Sequence, residues 1–174
     1  NNDEVTLCIK YIKHYFQSSG LHIKEFEFNN SKSIVISNHK DTTSDVVFCG
    51  HIDVVPASES LFSIKQDGDI LYGRGVSDMK GQVAVMMQVM KNLNQENLNK
   101  KVSLFLTSDE ERGGFDGVNK LINNENYSSN VAIVPDGGFD YTLVVEAKGV
   151  LQLKITAPGI SCHASEVWNG KNAI

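Results

Sequence analysis

The chain has 174 residues, 41% of them apolar and 21% charged, with a formal net charge of -5. That length and balance suit a folded domain with a buried core and exclude a disordered or fibrous chain. The acidic balance supplies no basic footprint for nucleic acid or an anionic membrane.

No apolar run approaches the roughly 20 residues needed to cross a bilayer, and the polar start Asn1-Asn2-Asp3-Glu4 lacks the features of a signal peptide. A cytoplasmic protein without a membrane or nucleic-acid partner is expected. Cys8, Cys49 and Cys162 are odd in number and far apart, which argues for free thiols rather than a disulfide framework. The chain has no initiator Met, and Asn172-Ala173-Ile174 carries no helix stop signal. These ends are read as those of a piece of a longer enzyme.

From Glu4 to Ser19 the apolar residues Val5, Leu7, Cys8, Ile9, Ile12, Tyr15 and Phe16 approximate a helical stripe that Gly20 terminates. Leu21 to Phe28 and Ser33 to Ser37 have strand length and are expected to pair. Asp45 to Gly50 is a continuous apolar run, the mark of a strand buried on both faces, and it delivers His51 at its carboxyl end. Gln82 to Leu93 lacks Pro and Gly and predicts a helix on the sheet, with Met86, Met87 and Met90 in the core. Lys101 to Leu106 predicts a second buried strand, Gly117 to Asn123 a short helix, and Val131 to Val134 a third strand. The fold class is α/β, a mostly parallel sheet flanked by helices. After Tyr141 the helices stop, and Leu143–Val145 with Gly149–Ala157 predicts a hairpin. The expected division is 1–142 for a first domain and 143–174 for the beginning of a second.

Three strands each end in an acidic or histidine cluster, and open α/β sheets bind ligands beyond the carboxyl ends of their strands. In His51-Ile52-Asp53, residues two apart on extended chain share a face. His51 can serve as a neutral imidazole ligand, with Asp53 orienting its ring; a structural His–carboxylate pair reads the same in isolation. Asp78 follows the Gly73-Arg74-Gly75 loop, whose spacing fits neither a dinucleotide fingerprint nor a P-loop. Its carboxylate can present both oxygens to cations. Glu110 and Glu111 are adjacent after a strand and point differently, so one can bind metal while the other handles protons. Asp136, in Pro135-Asp136-Gly137, is either an ordinary turn former or a fourth acid at the same edge. A Cys162–His163 nucleophilic dyad is disfavoured, because neighbours on extended chain face opposite sides.

The strings Gly50-His51-Ile52-Asp53-Val54-Val55-Pro56, Gly73-Arg74-Gly75-Val76-Ser77-Asp78-Met79-Lys80-Gly81, Asp109-Glu110-Glu111 and Ser161-Cys162-His163-Ala164-Ser165 occur in this order. In this the chain resembles the dinuclear zinc peptidase and deacylase family, which includes succinyl-diaminopimelate desuccinylase, acetylornithine deacetylase, aminoacylase and glutamate carboxypeptidase. The resemblance spans about Val46 to Ile174. It implies two zinc ions, with cobalt or manganese as substitutes. Asp78 would bridge them, His51 and Asp136 would complete one ion's shell, and Glu111 would serve the other. Glu110 would be the general base and Asp53 would buttress His51; 1–142 would be a metal-binding catalytic domain and 143–174 the beginning of an inserted α+β lid, from which His163 would reach a partner subunit's site and stabilise the oxyanion. Hydrolysis of an amide bond in a small peptide or N-acyl amino acid by a homodimer follows.

Two departures stand out. Asp136-Gly137 occupies a place where the deacylases usually show Glu-Pro, which resembles the peptidase branch instead. The family's remaining ligand is a late histidine, and none follows His163; His14, His22 and His39 lie too early. The site at Glu111 is therefore expected to be incomplete in this chain, which leaves a metal-binding domain that serves assembly as the alternative function.

Overall fold

A computed structural model of the protein describes residues 2–96, 98–137, 145, 146, 149, 151 and 153–173. The chain separates into two compact units, Asn1–Gly137 and Gly138–Ile174. The boundary expected near Leu143 falls in a stretch outside the described residues.

The first unit begins with α1 (Asn2–Phe16), which turns out of the helix through Ser19 and Gly20, the latter at φ +77°. Strands β1 (His22–Phe28) and β2 (Ser31–Ser37) form an antiparallel hairpin, as expected, in the register His22↔Ser37 to Phe28↔Ser31. Then come β3 (Thr43–His51), a small antiparallel pair β4 (Lys65–Asp67) and β5 (Ile70–Tyr72), and α2 (Gly81–Gln95). The unit closes with β6 (Val102–Thr107), α3 (Val118–Asn123) and β7 (Ser128–Ile133).

The main sheet has the order β1-β2-β6-β3-β7. It is mixed: β6, β3 and β7 run parallel, and β2 is antiparallel to both β1 and β6. The carboxyl ends of the three parallel strands thus share one edge. β7 starts three residues before the apolar run that suggested it. Its ladder with β3 begins at Thr43↔Ser128, so backbone pairing carries it through the polar Ser128-Ser129-Asn130.

Helices cover both faces. On one, Ile9, Ile12 and Phe16 of α1 and Val83, Met86, Met87 and Met90 of α2 pack on Ile34, Ile36, Leu104 and Leu106. On the other, Leu121 of α3 and Tyr127 pack on Val35, Val47 and Phe105. The alternation along β2 and β6 sends successive side chains to opposite faces, and both faces are buried because both are covered. At the edge opposite the acidic clusters, His39 Nε2 lies 3.2 Å from the hydroxyls of both Ser44 and Ser103, which are themselves 2.8 Å apart.

In the second unit, Ile160 and Lys171 form an isolated antiparallel bridge, and Val167–Asn169 makes a single helical turn. Described residues 153–159 carry no strand, so the expected hairpin loses that part. Pro158-Gly159 instead leads into the bridge, where Gly159 packs closely on the backbone of Lys171. Val145, Gly149 and Leu151 carry no strand either, and the other residues of the expected hairpin lie outside the described residues. Among the described residues no helix is long and apolar enough to cross a membrane.

Candidate metal centre at the carboxyl edge of the sheet

His51 is the last residue of β3, and its ring is 1% exposed. Its Nδ1 lies 3.2 Å from the carbonyl oxygen of Asp53 and 3.4 Å from that residue's Oδ1. Nδ1–H therefore donates toward Asp53, mainly to its backbone, which leaves Nε2 with a lone pair directed at the sheet edge.

Three carboxylates gather around Nε2: Asp78 Oδ1 at 3.0 Å, Asp136 Oδ2 at 3.5 Å and Glu110 Oε2 at 3.9 Å. They come from different segments. Asp78 sits in the irregular turn Val76–Lys80 that leads into α2, with φ -124° and ψ 97° interrupting the helical geometry. Gly75 enters that turn at φ +80°, a conformation that favours glycine. Met79 beside it is fully buried, and its Sδ accepts the backbone N–H of His51 at 3.3 Å. Asp136 follows β7, and Glu110 opens the short turn after β6.

Ligand atoms of His51, Asp78 and Asp136 lie within 4.8 Å of one another. Two ligands at about 2.1 Å from a tetrahedral zinc ion stand roughly 3.4 Å apart, so one imidazole nitrogen and two carboxylate oxygens at these separations fit a divalent ion. Glu111 stands outside this group; its Oε1 accepts the backbone N–H of Val55 at 3.3 Å. The expected set is thus brought together in part, with His51, Asp78, Asp136 and Glu110 converging and Glu111 turned to the neighbouring loop.

Burial lowers the affinity of the His51 ring for a proton, but Asp53, Asp136 and Glu110 together outweigh it and hold its pKa above the ordinary value. Burial raises the pKa of Glu110; His51 opposes the rise, and Asp136, Glu111 and Asp53 reinforce it. A carboxyl displaced upward beside a cluster of ligands has the chemistry of a proton acceptor and donor.

Asp53 does more than its place next to His51 suggested. Its carboxylate accepts the backbone N–H groups of Glu110 at 3.3 Å and Glu111 at 3.2 Å. Sequence reasoning had no signal for these contacts between distant segments. His163 belongs to the second unit, where it is exposed and its Nδ1 lies 2.7 Å from the Ser165 hydroxyl. Cys162 is a free, exposed thiol, and Cys8 and Cys49 are also free.

An α/β sheet with a histidine and acids converging on its carboxyl edge has the arrangement of a metal-binding site. Residues 47–168 match the model of peptidase family M20/M25/M40. The chain is 28% identical over 192 residues to succinyl-diaminopimelate desuccinylase of Rickettsia canadensis (strain McKiel), covering 98% of the chain and 50% of that relative. It is 30% identical over 182 residues to the enzyme of the same name from Wigglesworthia glossinidia brevipalpis, covering 96% and 48%. In fold it is similar to an M20 family metallo-carboxypeptidase from Sulfolobus solfataricus, with a TM-score of 0.60, 20% sequence identity, and coverage of 78% of this chain and 32% of that one. The chain belongs to peptidase family M20/M25/M40. It spans about half the length of the curated relatives it matches.

Proposed function

We propose that the protein containing this chain is a metal-dependent amidohydrolase that cleaves an amide bond in a small peptide or an N-acyl amino acid. The observation that carries the reading is the convergence of His51, Asp78 and Asp136, with the Glu110 carboxyl 3.9 Å from the same imidazole nitrogen.

His51, Asp78 and Asp136 would hold one divalent ion, and Asp78, with Glu111, would contribute to a second. Zinc bound there supplies Lewis acidity toward a carbonyl and lowers the pKa of water to about 7. Glu110 takes the proton of the attacking water and returns it to the leaving amine, a role supported by its raised pKa. Asp53 holds the His51 ring through Nδ1 and fixes the backbone of Glu110. His163, from the second unit, would donate to the oxyanion in a homodimer whose lid begins in that unit. We place this enzyme in the cytoplasm.

The test is metal content and hydrolysis by the full-length protein on a panel of dipeptides and N-acyl amino acids, N-succinyl compounds included. Glu110→Gln should keep its metal and lose about 100-fold or more in kcat. A metal-loaded wild type inactive on the whole panel, or one indifferent to Glu110→Gln, overturns the proposal.

A further inference from the structure

Asp109 immediately precedes the two glutamates and takes no part in the ligand cluster. It is 3% exposed. Its Oδ2 accepts the backbone N–H groups of Asp116 at 2.7 Å and Gly117 at 2.9 Å. Its own carbonyl oxygen accepts those of Arg112 at 3.1 Å and Gly114 at 2.9 Å. Asp109 thus closes residues 110–117 into a loop from two sides, through its backbone and its side chain.

The fit around it is tight. A Cβ built on Gly117 would stand 2.0 Å from Asp109 Oδ1, so only glycine lets the chain pass over this carboxylate. The loop also turns through Gly113 at φ +101° and Gly114 at φ +68°. Arg112 ties its flank to β2 and to the residue after β6 by donating from Nη2 to the Ser31 hydroxyl at 3.0 Å and the Ser108 carbonyl at 3.1 Å. Asp109 Oδ1 is buried with no hydrogen-bond partner. Burying a carboxylate with one oxygen unpaired is costly, so a side chain kept here for helix stability alone would be poorly chosen.

We infer that Asp109 is a positioning residue for Glu110: its buried carboxylate fixes the loop from beneath while Asp53 holds the same loop from the ligand side, and together they keep the Glu110 carboxyl beside His51. Asp53 grips the N–H groups of Glu110 and Glu111, and Asp109 grips those that end the loop. Without the Asp109 side chain the segment would keep Asp53, the Asp109 carbonyl and Arg112 at its start and lose its anchor at Asp116 and Gly117. This inference rests on the role proposed for Glu110.

The test uses the full-length, metal-loaded protein. Asp109→Ala should lower kcat by about tenfold or more with KM changed by less than about twofold, because loss of positioning falls on the chemical step. Bound metal at the His51 cluster should be unchanged. Asp109→Asn, which keeps an acceptor oxygen for Asp116 and Gly117, should recover most of that loss. Gly117→Ala should reproduce the defect with Asp109 intact, which keeps the inference open to test if Asp109→Ala fails to fold.

Hydrogen exchange at the Glu110–Gly114 amides should quicken by about tenfold or more in Asp109→Ala, and this readout does not depend on turnover. Unchanged exchange overturns the inference, as does a lowered Tm with kcat intact. A wild type whose hydrolysis ignores Glu110→Gln defeats the functional reading instead, and exchange then still decides whether Asp109 holds the loop.

Discussion

The carboxylate of Asp53 accepts the backbone N–H of Glu111 at 3.2 Å, although Asp53 follows β3 and Glu111 follows β6. The same residue receives the His51 ring at its carbonyl oxygen, so one short segment orients both the imidazole and the acidic turn.

Asp53→Ala is therefore expected to weaken metal binding by about 10- to 100-fold, the usual cost of removing a group that orients a ligating histidine. Competition with a chelator of known affinity measures it. Because the Glu110 and Glu111 N–H groups also lose their acceptor, kcat should fall even at saturating metal. A variant that regains full kcat once metal is restored would confine Asp53 to the ring.

Metal binding should strengthen with rising pH. The metal-free protein holds the His51 pKa above its ordinary 6.5. For a group shifted in that direction, the stabilisation is fully present below 6.5 and is lost as pH rises through the folded value. A metal needs the neutral ring, so proton and metal compete. The Tm increase on adding zinc should therefore be larger near pH 8 than near pH 6, and His51→Asn should abolish it. An increase independent of pH contradicts this.

His39 has the opposite sign. Burial lowers its pKa, Asp41 opposes the shift and Lys101 adds to it, and the buried Nδ1 has no hydrogen-bond partner. The folded protein favours the neutral ring, so this stabilisation is present above 6.5 and lost as pH falls through the depressed folded value. His39→Gln should show a smaller drop in Tm between about pH 7.5 and about pH 5.5 than the wild type, by thermal denaturation. Equal drops would dismiss His39 as a source of acid sensitivity.

Leu121 is fully buried and is the α3 residue of the smaller core, with Val35, Val47, Phe105 and Tyr127. Leu121→Ala should cost about 2–5 kcal/mol in stability by denaturant titration, from lost transfer energy and the cavity left behind. A loss below about 1 kcal/mol would mean that the site collapses around the smaller side chain.

Much of this was legible in the sequence because burial on both faces writes itself as continuous apolar chain. Val46–Gly50 is such a run and Val102–Leu106 is one broken only by Ser103, and both are inner strands. The hairpin β4–β5 was not read, for its strands have three residues each and are exposed; Asp67-Gly68, with Gly68 at φ +57°, was its one sequence mark. The residues of the candidate site could be chosen from strand ends and family motifs. Their distances could not, nor could the grip of Asp53 on residues 57 and 58 positions away. The burial of Asp109 was equally hidden, since an acidic triplet on paper gives no hint that its first member points inward while the second faces solvent.

The register of β3 against β6 has a last consequence. His51 lies opposite Thr107, one parallel ladder step away, so the offset between the imidazole and the acidic turn is set by strand spacing, about 4.8 Å. The sheet acts as a ruler with fixed graduations. A single-residue insertion within β3 would not lengthen that offset smoothly; it would reverse the facing of every side chain beyond it and bring Gly50, which has no side chain, to the place where the ring now stands. Variation that tunes this site must therefore fall in the loops beyond the strand ends, where length can change without resetting the scale.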